Sequence, residues 1–116
     1  MKGNERMGKL EKIEKFSAKG KVDKLFPFVH DADRQVCLAA IQALGKFTGQ
    51  MDVMGVLSQI LDDGDTELRR AAAAALSSAE GSYAESILMH RLEQEKDAGV
   101  QNAMRDALAS IKSRTK

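Results

Sequence analysis

Reactivity in this 116-residue chain has to be sought in two histidines, one cysteine and several closely spaced aspartates. An imidazole exchanges protons near neutral pH and a thiolate attacks electrophiles, but each needs a neighbour that holds or activates it. His30 and His90 fall in different columns of the internal repeat set out below, so no constellation recurs around them. His30 falls where a helix ends and an imidazole meets the negative pole of the backbone dipole, and a helix-end or surface place is expected for both. Cys37 stands near a helix start, which mildly acidifies a thiol, yet no histidine or asparagine is indicated beside it. It reads as a small inert residue. Asp31 and Asp33, then Asp62, Asp63 and Asp65, carry the oxygens that calcium takes, but no D-x-D-x-D-G-x5-E loop contains them. Neither G-x-x-x-x-G-K-S/T nor G-x-G-x-x-G occurs, so no phosphate cradle is expected. The six methionines are scattered and read as core filling. No enzyme activity, no cofactor and no metal are expected.

The aspartates make sense once the repeat is seen. The segments DADRQVCLAAIQALGKF from Asp31, DGDTELRRAAAAALSSA from Asp63 and EKDAGVQNAMRDALASI from Glu95 begin 32 residues apart and align without gaps. Asp33, Asp65 and Asp97 share a column, as do Val36, Leu68 and Val100, then Ala43, Ala75 and Ala107, then Leu44, Leu76 and Leu108. Upstream, Leu25, Leu57 and Met89 fall in one column and Phe28, Ile60 and Leu92 in another. Each unit therefore reads as a first helix, a tight turn and a second helix. The column aspartates stand where a short carboxylate caps exposed N–H groups of a first turn. Gly49 and Gly81 mark unit ends, where a left-handed residue stops a helix. Pro27 should kink or shorten the first helix of unit one.

On the second helix, positions 36, 39, 40, 43, 44 and 47 cluster on one face at 100° per residue. That face mixes small Ala with larger Val, Leu and Phe, which lets neighbouring helices approach closely. One unit cannot bury such a face alone, so the units must stack. Before them, Met7, Leu10, Ile13 and Phe16 lie at helical spacing and predict a helix over 4–19 that covers the first unit. The expected layout is one domain over 1–116, with repeats over 21–49, 50–81 and 82–113.

Composition agrees. Apolar residues make up 43% of the chain, enough for a packed core, while aromatics are only 4% and strand formers are sparse. Net charge is +1, from 18 basic and 17 acidic residues. That balance speaks against a nucleic-acid partner, which asks for a basic excess. The termini are locally basic, from Lys2 to Lys24 and again at Lys112, Arg114 and Lys116. Glu5, Glu11 and Glu14 interleave with the first group and make it a solvated face. One cysteine rules out an internal disulfide and fits a reducing compartment. There is no apolar signal segment and no membrane-length stretch, so a cytoplasmic protein is expected.

The second-helix pattern, seen as VCLAAIQALGKF, LRRAAAAALSSA and VQNAMRDALASI, resembles the HEAT-like repeat of the phycobilisome-lyase type, D-x-D-x-x-V-R-x-A-A-x-x-A-L-G. The resemblance covers about Val22 to Ser113 and is fullest in unit two, where Arg69 follows the apolar anchor. Units one and three have Cys37 and Gln101 at that place. The resemblance implies an all-α solenoid, a superhelix of three helix pairs with an N-terminal capping helix, whose second helices line a concave surface. It implies a scaffold for protein–protein contact. Some relatives handle bilins and others nucleic acid, so an accessory bilin-lyase-like protein and a nucleic-acid-binding module using Arg69, Arg70 and Arg105 stay open. Arg69 is expected to bond an Asp in its own or an adjacent turn.

The wheel leaves a candidate partner surface opposite the buried face. It comprises Leu38, Ile41 and Gln42 in unit one, Arg70, Ala73 and Ala74 in unit two, and Asn102, Arg105 and Asp106 in unit three. Leu38 and Ile41 are apolar where exposure is expected. A protein partner covers them, the first helix folds over them, or the chain self-associates.

Overall fold

An aspartate at the column position sets the start of each second helix. Asp33 Oδ1 accepts from the Gln35 N–H at 2.9 Å, Asp65 Oδ1 from those of Glu67 and Leu68 at 2.8 and 3.3 Å, and Asp97 Oδ2 from that of Val100 at 2.9 Å. These bonds satisfy donors that the helix itself leaves unpaired. The computed structural model describes residues 3–114; Lys2 and Lys116 lie outside them. Among the described residues there are seven α-helices and no strand: α1 (Gly3–Ala18), α2 (Val22–Leu25), α3 (Arg34–Leu44), α4 (Met51–Ile60), α5 (Thr66–Leu76), α6 (Ser82–Gln94) and α7 (Ala98–Arg114). Pro27 confines α2 to one turn, and the chain continues as a 3-10 segment over Phe26–His30.

The second helices α3, α5 and α7 lie side by side, with α1 as a fourth member packed against α3. The Phe26–His30 segment packs on α3, α4 on α5 and α6 on α7, forming a second layer. The shortest dimension, 18 Å, is that of two helix layers. Core residues run the length of the stack, from Ile13 through Leu25, Leu44, Leu57, Leu76 and Leu88 to Met104 and Ile111.

α1 behaves as a further second helix. Its Leu10, Ile13, Phe16 and Ser17 stand 28 residues before Leu38, Ile41, Leu44 and Gly45. Ile13 and Ile41 are both buried, and Leu10 and Leu38 are both half-buried. Met7, expected to pack, is exposed instead.

Several other expectations need correcting. Gly49 is not left-handed; the glycines with positive φ are Gly20 and Gly81. Gly20 turns the chain out of α1, with the Lys21 N–H donating to the Phe16 carbonyl at 2.9 Å. Gly81 precedes α6 rather than closing α5, which ends at Leu76. In unit three the first helix slips by one residue: Leu88, not Met89, is the buried partner of Leu57 in the column, and Met89 is exposed. The spacing absorbs this, because Leu61 lies four residues before Asp65 and Leu92 five before Asp97.

The buried arc of the second helices is also rotated. Val36, Cys37, Ala40, Ile41, Ala43 and Leu44 are buried on α3, whereas Ala39 and Ala71 are half-buried. A helix in a row is covered by the layer beneath and by neighbours on both flanks, so its buried arc is not the single apolar face of an isolated amphipathic helix. Ile41 and Ala73 show the consequence: both are fully buried, not exposed, because the next second helix covers them. Arg105, in the same column, is exposed because no described helix follows α7.

The backbones of α5 and of the turn that ends α3 approach closely at Gly45. A Cβ there would lie 3.2 Å from Ala75 Cα. Ala75→Leu should therefore cost about 1–3 kcal/mol through strain. Ala74→Leu, on the exposed side of the same helix, should stay within about 0.5 kcal/mol. Urea melts of the two variants measure the difference, and equal losses would refute this packing.

Candidate functional site

The outer face of the helix row is grooved between neighbouring second helices, and the groove between α1 and α3 continues toward Arg6 and Gln35 as a further depression. The α3–α5 groove encloses about 550 Å³ and is lined by Leu38, Gln42, Gly45 and Lys46 on one side and Ala71, Ala74, Ala75, Ser77 and Ser78 on the other. Its floor is low because the α5 wall is built from alanines and because glycine at 45 lets the backbones meet. Ser78 Oγ donates to the Gly45 carbonyl across the gap at 2.5 Å and tethers one end. The α1–α3 groove encloses about 580 Å³ between Leu10, Glu14 and Ala18 and the Ala39, Gln42, Ala43 and Lys46 wall.

Of the expected surface, Gln42, Arg70, Ala74, Asn102, Arg105 and Asp106 are exposed and Leu38 is half-buried. Leu38, Gln42 and Ala74 are brought together in the α3–α5 groove. Asn102 and Arg105 lie on α7, outside either groove, and the Arg105 Nη1 to Asn102 Oδ1 distance is 3.5 Å. Ile41 and Ala73 belong to the packing between helices and leave the surface. Sequence reasoning missed Lys46, Ser78 and the whole α1 wall. The spacing of Leu10 and Ile13, repeated in Leu38 and Ile41, is the signal that would have found α1.

The edge carrying the loops between first and second helices is polar and closed by ion pairs. Arg6 pairs with Asp33 at 2.5 Å, Lys9 with Asp31 at 2.7 Å and Arg34 with Asp65 at 2.7 Å. Arg69 forks onto Glu95, Nε to Oε1 at 2.9 Å and Nη2 to Oε2 at 3.1 Å, and its Nη1 donates to the Asp63 carbonyl at 2.9 Å. Its carboxylate partner is thus a glutamate and not the aspartate expected. Cys37, Arg69 and Gln101 share a column, and each donates to the carbonyl six residues before it, at Asp31, Asp63 and Glu95. Three different side chains thus do one job: they fix the turn against its helix.

These contacts fix the charge states. The Lys9 ammonium, with the Asp33 N–H, holds the Asp31 carboxyl below its ordinary value, and Arg6 does the same for Asp33. Burial pushes Asp65 up, but Arg34 and the capped N–H groups outweigh it, and the net shift is downward. Arg69 lowers Glu95. Burial raises the Cys37 thiol, and Asp31 adds to the effect. The neutral, buried thiol is a poor nucleophile. His30 and His90 are exposed on different elements. Among the described residues no group of three or more His, Cys, Asp or Glu is placed to hold a metal ion. None of their helices is long and apolar enough to cross a membrane.

Stacked helix pairs, aspartate-capped second helices in one row and an open groove on that row define an α-solenoid repeat protein. The chain matches the family model of HEAT repeats over residues 22–109 and belongs to that family. The match is to HEAT repeats as a class and does not single out the phycobilisome-lyase type. No curated protein matches the chain significantly. HEAT repeats commonly mediate protein–protein interaction as scaffolds and are generally not enzymes.

Proposed function

We propose that the chain works as one small scaffold domain, over 1–116, that binds a protein partner through the face lined by its second helices. The observation that carries this reading is the α3–α5 groove, where an alanine floor and half-buried Leu38 are rimmed by the polar Gln42, Lys46 and Ser78. Apolar floors within polar rims are the anatomy of protein interfaces. Arg70 on α5 and Asn102 and Arg105 on α7 are exposed on the same row and would extend the contact beyond the groove. Arg69 is occupied by Glu95, which removes one of the three arginines a nucleic-acid reading relies on. A cytoplasmic setting agrees with a buried, unpaired thiol at Cys37.

Affinity capture from native extract tests the reading with two variants. Ala74→Arg fills the groove from an exposed position and should remove the partner that the wild-type chain retains. Ser86→Arg, exposed on α6 in the other layer, should not. Retention of every partner by Ala74→Arg would overturn the proposal.

A further inference from the structure

The two grooves are one design made twice. Moving α1 forward by 28 positions lays Leu10 and Glu14 on Leu38 and Gln42; moving α3 forward by 32 lays Ala39 and Ala43 on Ala71 and Ala75. The α1–α3 and α3–α5 grooves therefore have corresponding walls and nearly equal volumes, 580 and 550 Å³. They share one ridge, on which Gln42 and Lys46 face both. We infer that this face binds an extended, proline-rich segment of a partner protein. The segment crosses the helices and seats two apolar side chains, three residues apart, one in each groove. The inference rests on the protein-binding reading just given.

Spacing selects this occupant. Neighbouring packed helices lie about 8–10 Å apart. A polyproline II chain returns to the same face every three residues, about 9 Å along its axis. A β-strand returns every two residues, after about 6.6 Å, and falls short of the second groove. A helix laid along one groove leaves the other empty, and one laid across both, about 10–12 Å wide with its side chains, would have to ride on the exposed Gln42 and Lys46 of the ridge. The backbone of a polyproline II segment makes no internal hydrogen bonds, so its carbonyls require donors, and the exposed Gln42 amide stands on the ridge beneath them. Charge adds a second selection. Lys46 is the one charged residue lining the α3–α5 groove and makes no ion pair among the described residues. An acidic residue between the two apolar anchors complements it.

The test uses the full chain and fluorescein-labelled synthetic peptides built on proline, with two leucines set two, three or four residues apart and Glu, Gln or Lys between them. Fluorescence anisotropy should rank the three-residue spacing with Glu first. Ala18→Arg blocks the α1–α3 groove and Ala74→Arg the α3–α5 groove; both sites are exposed, and each variant should weaken that peptide by about tenfold with unchanged thermal melting. Lys46→Glu should shift the preference to the peptide with Lys. A preference for another spacing, no binding by any peptide, or full binding by Ala18→Arg overturns the inference. Loss of the captured partner in Ala74→Arg alongside any of these leaves the scaffold reading standing. If Ala74→Arg loses neither partner nor peptide, both readings fall.

Discussion

Replacing Arg69 by methionine should lower the free energy of unfolding by about 2–3 kcal/mol, because it strands the Glu95 carboxylate without its partner. The Glu95 side chain is 6% exposed and that of Arg69 19%, so water compensates little when the fork is removed. The Asp63 carbonyl loses its donor as well. Methionine keeps most of the apolar stem, so the loss reports the charge and hydrogen bonds rather than packing. Arg34→Met is the control. Arg34 is 54% exposed and pairs with Asp65 at 25%, and exposed pairs contribute less than about 1 kcal/mol. Adding Glu95→Gln to Arg69→Met should restore part of the loss, since no charge is then stranded and the amide oxygen still accepts from Asp97. The pH dependence has a fixed sign. Glu95 is held below its ordinary value of 4.5, so its contribution is complete above that pH and fades as the pH falls through the lowered value. Arg69→Met should therefore flatten the acid limb of the stability curve. Urea melts from neutral pH downward measure both effects, and equal losses in the two arginine variants would sink the argument.

The caps and the repeat were legible because both are local. Asp33, Asp65 and Asp97 act on N–H groups two or three residues ahead, and a 32-residue column survives any change of neighbours. Pro27 was legible for the same reason. The phase of the second helices was not. A wheel drawn for α3 assumes one covered side, whereas the row also buries Ile41, and the turn before the helix covers Cys37, whose thiol donates to the Asp31 carbonyl. Composition hid this, because Ala73 and Arg105 occupy the column of Ile41 and make it look like a surface that grades from apolar to polar. The partner of Arg69 was illegible too: Glu95 lies in the turn between the two helices of the third repeat, 26 residues away, and only stacking brings its carboxylate to the guanidinium. The groove's polar end was missed because Lys46 and Ser78 lie past the helical segments, where the chain turns. Its second wall was missed because α1 repeats at 28 residues rather than 32 and drops out of a search at a single period.

That rotated phase separates two leucine-like positions that the wheel treats as one surface, and single substitutions should split them. Ile41→Ser should cost about 3–5 kcal/mol, since it deletes most of a fully buried side chain between α3 and α5 and buries a hydroxyl in its place. Leu38→Ser should stay within about 1 kcal/mol, because Leu38 is half-buried on the groove wall and water already reaches it. The binding outcomes should run the other way. Leu38→Ser removes the apolar wall of the α3–α5 groove and leaves the stack intact, so partner capture should fall while the melting curve holds. Ile41→Ser should lower capture only as far as it unfolds the chain, and capture should return at temperatures where that variant remains folded. Comparing melting curves with capture at low temperature makes the distinction. A large stability loss in Leu38→Ser would place position 38 in the core, and a small one in Ile41→Ser would restore the single exposed face that the wheel predicts.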